Sequence, residues 1–321
     1  MSIYFWIIIF ILSCICLIKA GSLTVKTLSR ISQFLKWKEF IASFILMAFC
    51  TSLPELFVGI SSAIYKHPEL SFANIVGSNI INLSLLVGIG ALMAKGLEIE
   101  SKIAQKDSLL CALILVLPIL LILDGRLGRA DGIILLLAFI LYLWQSFSKK
   151  EIFDKTIVNG FRRDKKAFKN FIIDILLFIV SVCLLLISAE GVVKSSTFFA
   201  ESLNLPLVFI GLFIVALGTN LPEFTFGVKS IIMGHKDMVL GNLMGSVVAN
   251  TTLILGLTVL ICPIQITNIT PFLSTIIFSF IIAIFFYFFA KTKNFISQKE
   301  GIILIFIYIL FILFELYLQL V

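Results

Sequence analysis

Charge is what this chain has least of. Asp, Glu, Lys and Arg make up 13% of its 321 residues, where a soluble domain carries about a quarter. Hydrophobic residues reach 60% and the mean hydropathy is +1.14. Histidine is nearly missing, with 2 residues, and the 6 cysteines (Cys14, Cys16, Cys50, Cys111, Cys183, Cys262) show no metal-ligand spacing. That pattern argues against a zinc or copper centre and leaves the cysteines as small core residues. The first apolar run has no basic segment before it and no small-residue cleavage site, so a retained helix is expected there rather than a signal peptide. Alternation of about ten residues per segment is also missing, so a β-barrel is excluded.

What is present is a series of continuous apolar runs, many of eighteen residues or more, long enough to cross a bilayer as helices. The fold class expected is an all-α polytopic membrane protein. Ten spans are placed at 3–18, 40–65, 71–94, 107–123, 130–147, 171–190, 205–232, 238–261, 271–290 and 301–319. With the N-terminus outside, the inner loops collect 21 of the 25 Lys and Arg, and the outer side holds Lys66, Arg126, Arg129 and Lys194. This asymmetry is the positive-inside rule, so both termini are expected outside the cell membrane. It also explains the formal charge of +7 without nucleic acid.

Among these runs one stretch is out of character, C-T-S-L-P-E at 50–55. Displaced by 168 residues, A-F-C-T-S-L-P-E (48–55) meets A-L-G-T-N-L-P-E (216–223), and A-N-I-V-G-S-N-I-I-N (73–82) meets G-N-L-M-G-S-V-V-A-N (241–250). Sixteen of the 45 positions from 48 to 92 are identical at this one ungapped offset. Shared oiliness can pair Leu with Leu, but it does not pair Pro, Glu, Ser and Asn in register. The chain is an internal repeat. The expected units are 1–148, a basic cytoplasmic linker at 149–170, and 171–321. The linker reads as a solvated connection, with a regulatory or lipid-binding role as the other reading. Five spans per half is an odd number, so the second half is inverted, as in secondary transporters with midplane sites.

The repeated motif carries chemistry. Pro54 and Pro222 have no N–H to return to the carbonyls four residues earlier, of Cys50 and Gly218. Carbonyls so freed at membrane depth must be buried in protein or line a hydrated cavity. Beside them stand Glu55 and Glu223, costly if ionised alone, with no Lys or Arg close in sequence before them. A cation would satisfy both carbonyls and carboxylates, and two glutamates balance one Ca²⁺ or two Na⁺. Ser78, Ser246, Asn82 and Asn250 are either interhelical hydrogen-bonding groups beside Gly77 and Gly245 or part of the same site. His67 and His235 fall in short loops, where turn or surface roles are expected. Asp174, Glu190 and Glu315 fall near span ends and are expected at the interface.

T-S-L-P-E and G-T-N-L-P-E, each followed by G-S-x-x-x-N, resemble the two α-repeats of the cation/Ca²⁺ exchanger superfamily, and within it the compact prokaryotic sodium/calcium exchangers. The resemblance covers nearly the whole chain. It implies ten helices in two inverted five-helix repeats, no enzymatic activity, no cofactor beyond transported Ca²⁺ and Na⁺, and alternating access in a monomer, with spans 1 and 6 sliding across the rest. It implies a central Ca²⁺ site of Glu55, Glu223 and the carbonyls of Thr51 and Thr219, flanked by Asn82 and Asn250. It implies one Na⁺ site from Ala48 (carbonyl), Thr51, Ser52 and Ser78, and another from Ala216 (carbonyl), Thr219, Asn220 and Ser246. Cys50 stands in place of the usual glycine and Asn220 in place of serine. Asn250 stands where potassium-dependent relatives, and some compact prokaryotic ones, carry Asp; the missing carboxylate argues mildly against K⁺ co-transport. Ca²⁺/H⁺ exchange through the same glutamates is the alternative. A membrane hydrolase lacks a nucleophile or a His–metal cluster, and a passive channel fits an inverted repeat poorly.

Overall fold

The fold is taken from a computed structural model that describes residues 3–34, 52–98, 102–147, 165–232, 234, 236–265, 270–291 and 295–320. Ala48, Cys50, Thr51, His235 and most of the expected linker lie outside the described residues. The described chain is almost entirely helical. In order come α1 (Ile3–Phe34), α2 (Leu53–Ile64), α3 (Pro68–Ala94), α4 (Lys102–Leu121) and α5 (Arg129–Phe147). Then follow α6 (Lys165–Leu203), α7 (Leu207–Ile232), α8 (237–261), α9 (Thr270–Lys291) and α10 (Gln298–Leu320). Among the described residues seven helices are long and apolar enough to cross a membrane, namely α1, α3, α6, α7, α8, α9 and α10. α1 and α6 run well beyond the expected 3–18 and 171–190. The Lys, Ser and Thr residues at 19–34 continue the helix because several hydroxyls turn inward, as where Thr24 and Thr27 donate to the carbonyls of Ala20 and Leu23 at 2.9 Å.

Burial reverses the pattern of a soluble protein. α3 and α8 are enclosed, 83% and 72% of their most apolar stretches being buried, whereas the figure for α1 and α6 is 22%. Large apolar side chains such as Tyr4, Ile8, Leu12, Leu176 and Ile187 face outward. Inside, a layer of Ser, Thr and Asn accompanies the aliphatic core, with Ser71, Asn74, Ser78, Asn82, Asn250 and Thr258 all at 0% exposure. A helix bundle that is oily outside and polar at its centre suits lipid as solvent.

α1 and α6 pack antiparallel along their lengths. Trp6 stacks on Phe198 at 5.2 Å, the hydroxyls of Thr24 and Ser181 lie 2.8 Å apart, Arg30 pairs with Asp174 at 3.3 Å, and Phe34 stacks on Phe171 at 4.2 Å. Asp174 is thus a buried ion-pair partner of the exposed Arg30. Glu315 departs further from expectation. It is 1% exposed, accepting hydrogen bonds from Ser274 and Thr275 of α9, because its helix face packs inward instead of ending at water.

Several features recur close to the 168-residue spacing. α3 carries a π-helical turn at Ile81–Leu86, and α8 carries one at Ala249–Ile254. Two two-residue ladders close the ends: β1 (Leu97–Glu98) with β4 (Phe295–Ile296), and β2 (Arg126–Leu127) with β3 (Ile264–Gln265), both antiparallel. A Cβ on Gly301 of α10 would meet the Gly88 carbonyl of α3 at 3.0 Å. A Cβ on Gly132 of α5 would meet the Gly256 carbonyl of α8 at 3.0 Å. Such close backbone crossings require glycine on both helices.

Candidate cation site

The site grows from two helix starts. α2 begins at Leu53 after Ser52, with Pro54 in its first turn, where a missing N–H costs nothing, and Glu55 beside it. α7 is interrupted: a π turn (Ile210–Val215) leads into Ala216–Thr219, the chain turns at Asn220, and a new helix runs Leu221–Ile232 with Glu223 in its first turn. Each carboxylate therefore lies in the first turn of a helix. Both are at 0% exposure.

α3 and α8 close the ring, packing against α2 and α7 and against each other. Gly77 lets α3 approach α7, since a Cβ there would fall 2.4 Å from the Leu212 carbonyl and 3.0 Å from the Ala216 Cβ. The π turns of α3 and α8 contain Asn82 and Asn250, one turn beyond Ser78 and Ser246. A π turn inserts one residue into the helix and re-aims the side chains after it, a distortion frequent at functional sites.

Across this ring the structure unites most of the expected residues. Thr219 Oγ1 donates to Asn74 Oδ1 at 3.1 Å and lies against the Glu55 carboxylate from the opposite repeat. Ser246 Oγ approaches Glu223 Oε1 at 3.5 Å. Neither Glu55 oxygen gains a well-formed hydrogen bond, and the buried Ser52 Oγ, Ser78 Oγ, Asn220 Oδ1 and both polar atoms of Asn82 and Asn250 have no protein partner. Buried polar atoms are ordinarily paired, so a cluster of unpaired oxygens around two carboxylates marks a place where something electropositive belongs. Among the described residues no group of three His, Cys, Asp or Glu forms a metal cluster. The donor set is two carboxylates with neutral oxygens, suited to a hard cation. Ala216 is the exception to expectation. Its carbonyl already accepts the Asn220 backbone N–H at 3.1 Å and the Asn220 side-chain amide at 2.7 Å.

The two sides of the ring differ. A cleft between α3, α7 and α8 reaches Glu223, walled by Leu86, Gly90, Met93, Gly227, Ile231 and Val239. On the Glu55 side the repeat-equivalent positions of Gly90 and Val239 are Thr258 and Ser71, and their hydroxyls hydrogen-bond at 3.1 Å. A Cβ on Gly59 would fall 2.9 Å from Thr258 Oγ1 and 3.0 Å from Ser71 Oγ, whereas one on Gly227 would meet Val239 at 3.7 Å.

Sequence reading passed over Asn74, Asn79, Ser71 and Thr258. Asn74 carried a signal, being identical to Asn242 across the repeat. Asn79, which donates to Thr251 Oγ1 at 2.7 Å, aligns with Val247 and carried none. His67 stands at the turn before α3, 3.3 Å from Glu69 and away from the ring, as expected of a loop histidine.

The profile of the sodium/calcium exchanger protein family matches residues 5–148 and 173–317. The chain belongs to this family. Sodium/calcium exchanger MaX1 of Methanosarcina acetivorans is 28% identical over 345 residues, covering 95% of this chain and 97% of that one. Among solved structures, the sodium-calcium exchanger NCX_Mj soaked with Na⁺ and Sr²⁺ superposes with a TM-score of 0.64 at 25% identity, covering 97% of this chain and 99% of that chain. The crystal structure of an H⁺/Ca²⁺ exchanger, CAX, gives a TM-score of 0.77 at 16% identity over 96% of this chain and 82% of that chain, a likeness of fold.

Proposed function

We propose that this protein is a secondary antiporter that exchanges Na⁺ for Ca²⁺ by alternating access. The observation that carries the reading is the buried pair Glu55 and Glu223, each in the first turn of a helix, among oxygens without protein partners. Two carboxylates balance one Ca²⁺, and the neutral oxygens around them complete its six to eight ligands. Na⁺ draws on the same carboxylates from the flanks of the centre, which Ser52 and Ser78 border on one side and Asn220 and Ser246 on the other. Ala48 and Thr51 join the first flank by repeat correspondence, and the Thr51 and Thr219 carbonyls join the centre. Competition for shared carboxylates couples the two fluxes, since neither ion is held at full strength while the other is bound.

The architecture that serves this is ten membrane helices in two inverted units, 1–148 and 171–321, joined by the basic linker at 149–170. The matched π turns, strand ladders and glycine crossings support it, as do the two family matches, which begin 168 residues apart at 5 and 173. The excess of Lys and Arg in the loops assigned to the inside supports a cell-membrane protein with both termini outside. On that orientation the cleft at Glu223 opens inward, because Met93 and Ile231 border inner loops. Every expected ligand comes from one chain, which supports a monomer as the working unit.

The test is ⁴⁵Ca²⁺ uptake into proteoliposomes with Na⁺, K⁺ and H⁺ gradients imposed one at a time. An outward Na⁺ gradient alone should drive uptake. Uptake driven by pH and indifferent to Na⁺ would replace this reading with Ca²⁺/H⁺ exchange through the same glutamates, a reading favoured by the backbone likeness to the H⁺/Ca²⁺ exchanger.

A further inference from the structure

At the turn of α7 the chain places Asn220 where the first repeat places Ser52, and the two side chains behave differently. Ser52 Oγ is buried with no protein partner. Asn220, 2% exposed, folds its carboxamide back onto its own helix, and Nδ2 donates to the Ala216 carbonyl at 2.7 Å. The same carbonyl accepts the Asn220 backbone N–H at 3.1 Å. A carbonyl oxygen has two lone pairs, and both are now engaged. The Thr219 hydroxyl, with a single hydrogen, makes its shorter bond to Asn74 at 3.1 Å rather than to Ala216 at 3.4 Å. What remains of Asn220 for a ligand is Oδ1, buried and without a partner.

We propose that Asn220 closes the second-repeat flank to Na⁺ by supplying its own N–H where a cation would sit on the Ala216 carbonyl, and so sets the number of Na⁺ exchanged per Ca²⁺. The inference rests on the Na⁺/Ca²⁺ reading above and narrows it. A small hard cation needs several converging oxygens, and its affinity falls when one is withdrawn by an internal donor. Oδ1 then serves the central ion, while Na⁺ binds the first-repeat flank. Serine at this position has one hydroxyl hydrogen and no amide. It can turn that hydrogen toward Ala216 or release it, so the carbonyl becomes available when an ion arrives.

The experiment is the Na⁺:Ca²⁺ coupling ratio, read from the Na⁺ gradient that nulls Ca²⁺ flux in proteoliposomes at fixed membrane potential. Asn220→Ser is expected to raise the ratio by one Na⁺ and to steepen the Na⁺ dependence. A ratio is independent of the fraction of protein that folds. Equal ratios in wild type and Asn220→Ser, with Na⁺-driven flux intact, overturn the inference and leave the exchange reading standing. Loss of Na⁺ dependence in both overturns the exchange reading and this inference with it. A second arm avoids position 220. In the wild-type background Ser78→Ala should weaken Na⁺ activation several-fold more than Ser246→Ala, and an equal or reversed order would contradict the inference.

Discussion

The Glu55 and Glu223 sides of the ring are built from one repeated sequence, yet one is sealed by a hydroxyl contact and the other borders a narrow cleft. At Gly59 two hydroxyls meet over the backbone, and at Gly227 the corresponding positions are Val239 and Gly90 beside a cleft. The difference teaches that access and ligation are encoded separately. Glu, Pro and the G-S-x-x-x-N residues are kept in both copies, as the proposed ion site shared by both halves requires. The residues one or two turns away diverge, and with them the packing beside Gly59 and Gly227. In the hydrocarbon region a serine–threonine bond is worth about 1 kcal/mol, enough to bias two nearly balanced conformations.

The largest expected effect tests what the two sides share. Glu55→Gln and Glu223→Gln should each reduce Ca²⁺ uptake to background, since either leaves one charge facing a divalent ion. Near-normal uptake in one of them would mean that the halves are unequal at the centre as well. Next comes the contrast in packing. Gly59→Ala should lower thermal stability by about 1–3 kcal/mol, because Thr258 and Ser71 have to give way, while Gly227→Ala should cost less than half of that. Unfolding of the two detergent-solubilised variants side by side reads the difference, and equal losses would remove the asymmetry. The smallest effect is expected at the hydroxyl pair. Thr258→Val should cost about 1 kcal/mol and increase thiol labelling of a cysteine placed at Ala63, on the closed side. Unchanged labelling would show that the pair holds nothing shut.

Much of this was legible in the sequence. Pro, Glu, Ser and Asn in register at one offset identified the repeat, the carboxylate pair and most of the ring, because such residues are rare in apolar runs and cannot match by composition. What escaped was whatever the repeat does not share. Ser71 and Thr258 stand opposite Val239 and Gly90 in the alignment, so the comparison that exposed the glutamates concealed the hydroxyl pair. The π turns were invisible because an inserted residue changes the helix's local geometry without changing its composition. Asn220 was flagged as a departure from Ser52. That its amide would turn back to Ala216 depends on a turn at 220 that sequence spacing does not specify. The lengths of α1 and α6 were underestimated because hydropathy ends at Lys19 and Glu190, while the helices continue through self-satisfied hydroxyls and a Glu190–Lys194 pair at 2.6 Å.

The central claim is that Glu55 and Glu223 form one cation site shared by Na⁺ and Ca²⁺. Equilibrium ⁴⁵Ca²⁺ binding to the purified protein, titrated with Na⁺, tests it most directly. The account predicts one Ca²⁺ per chain, displaced completely and cooperatively by Na⁺, and no binding in either Gln variant. Ca²⁺ binding that survives saturating Na⁺, or persists in Glu55→Gln or Glu223→Gln, would contradict it.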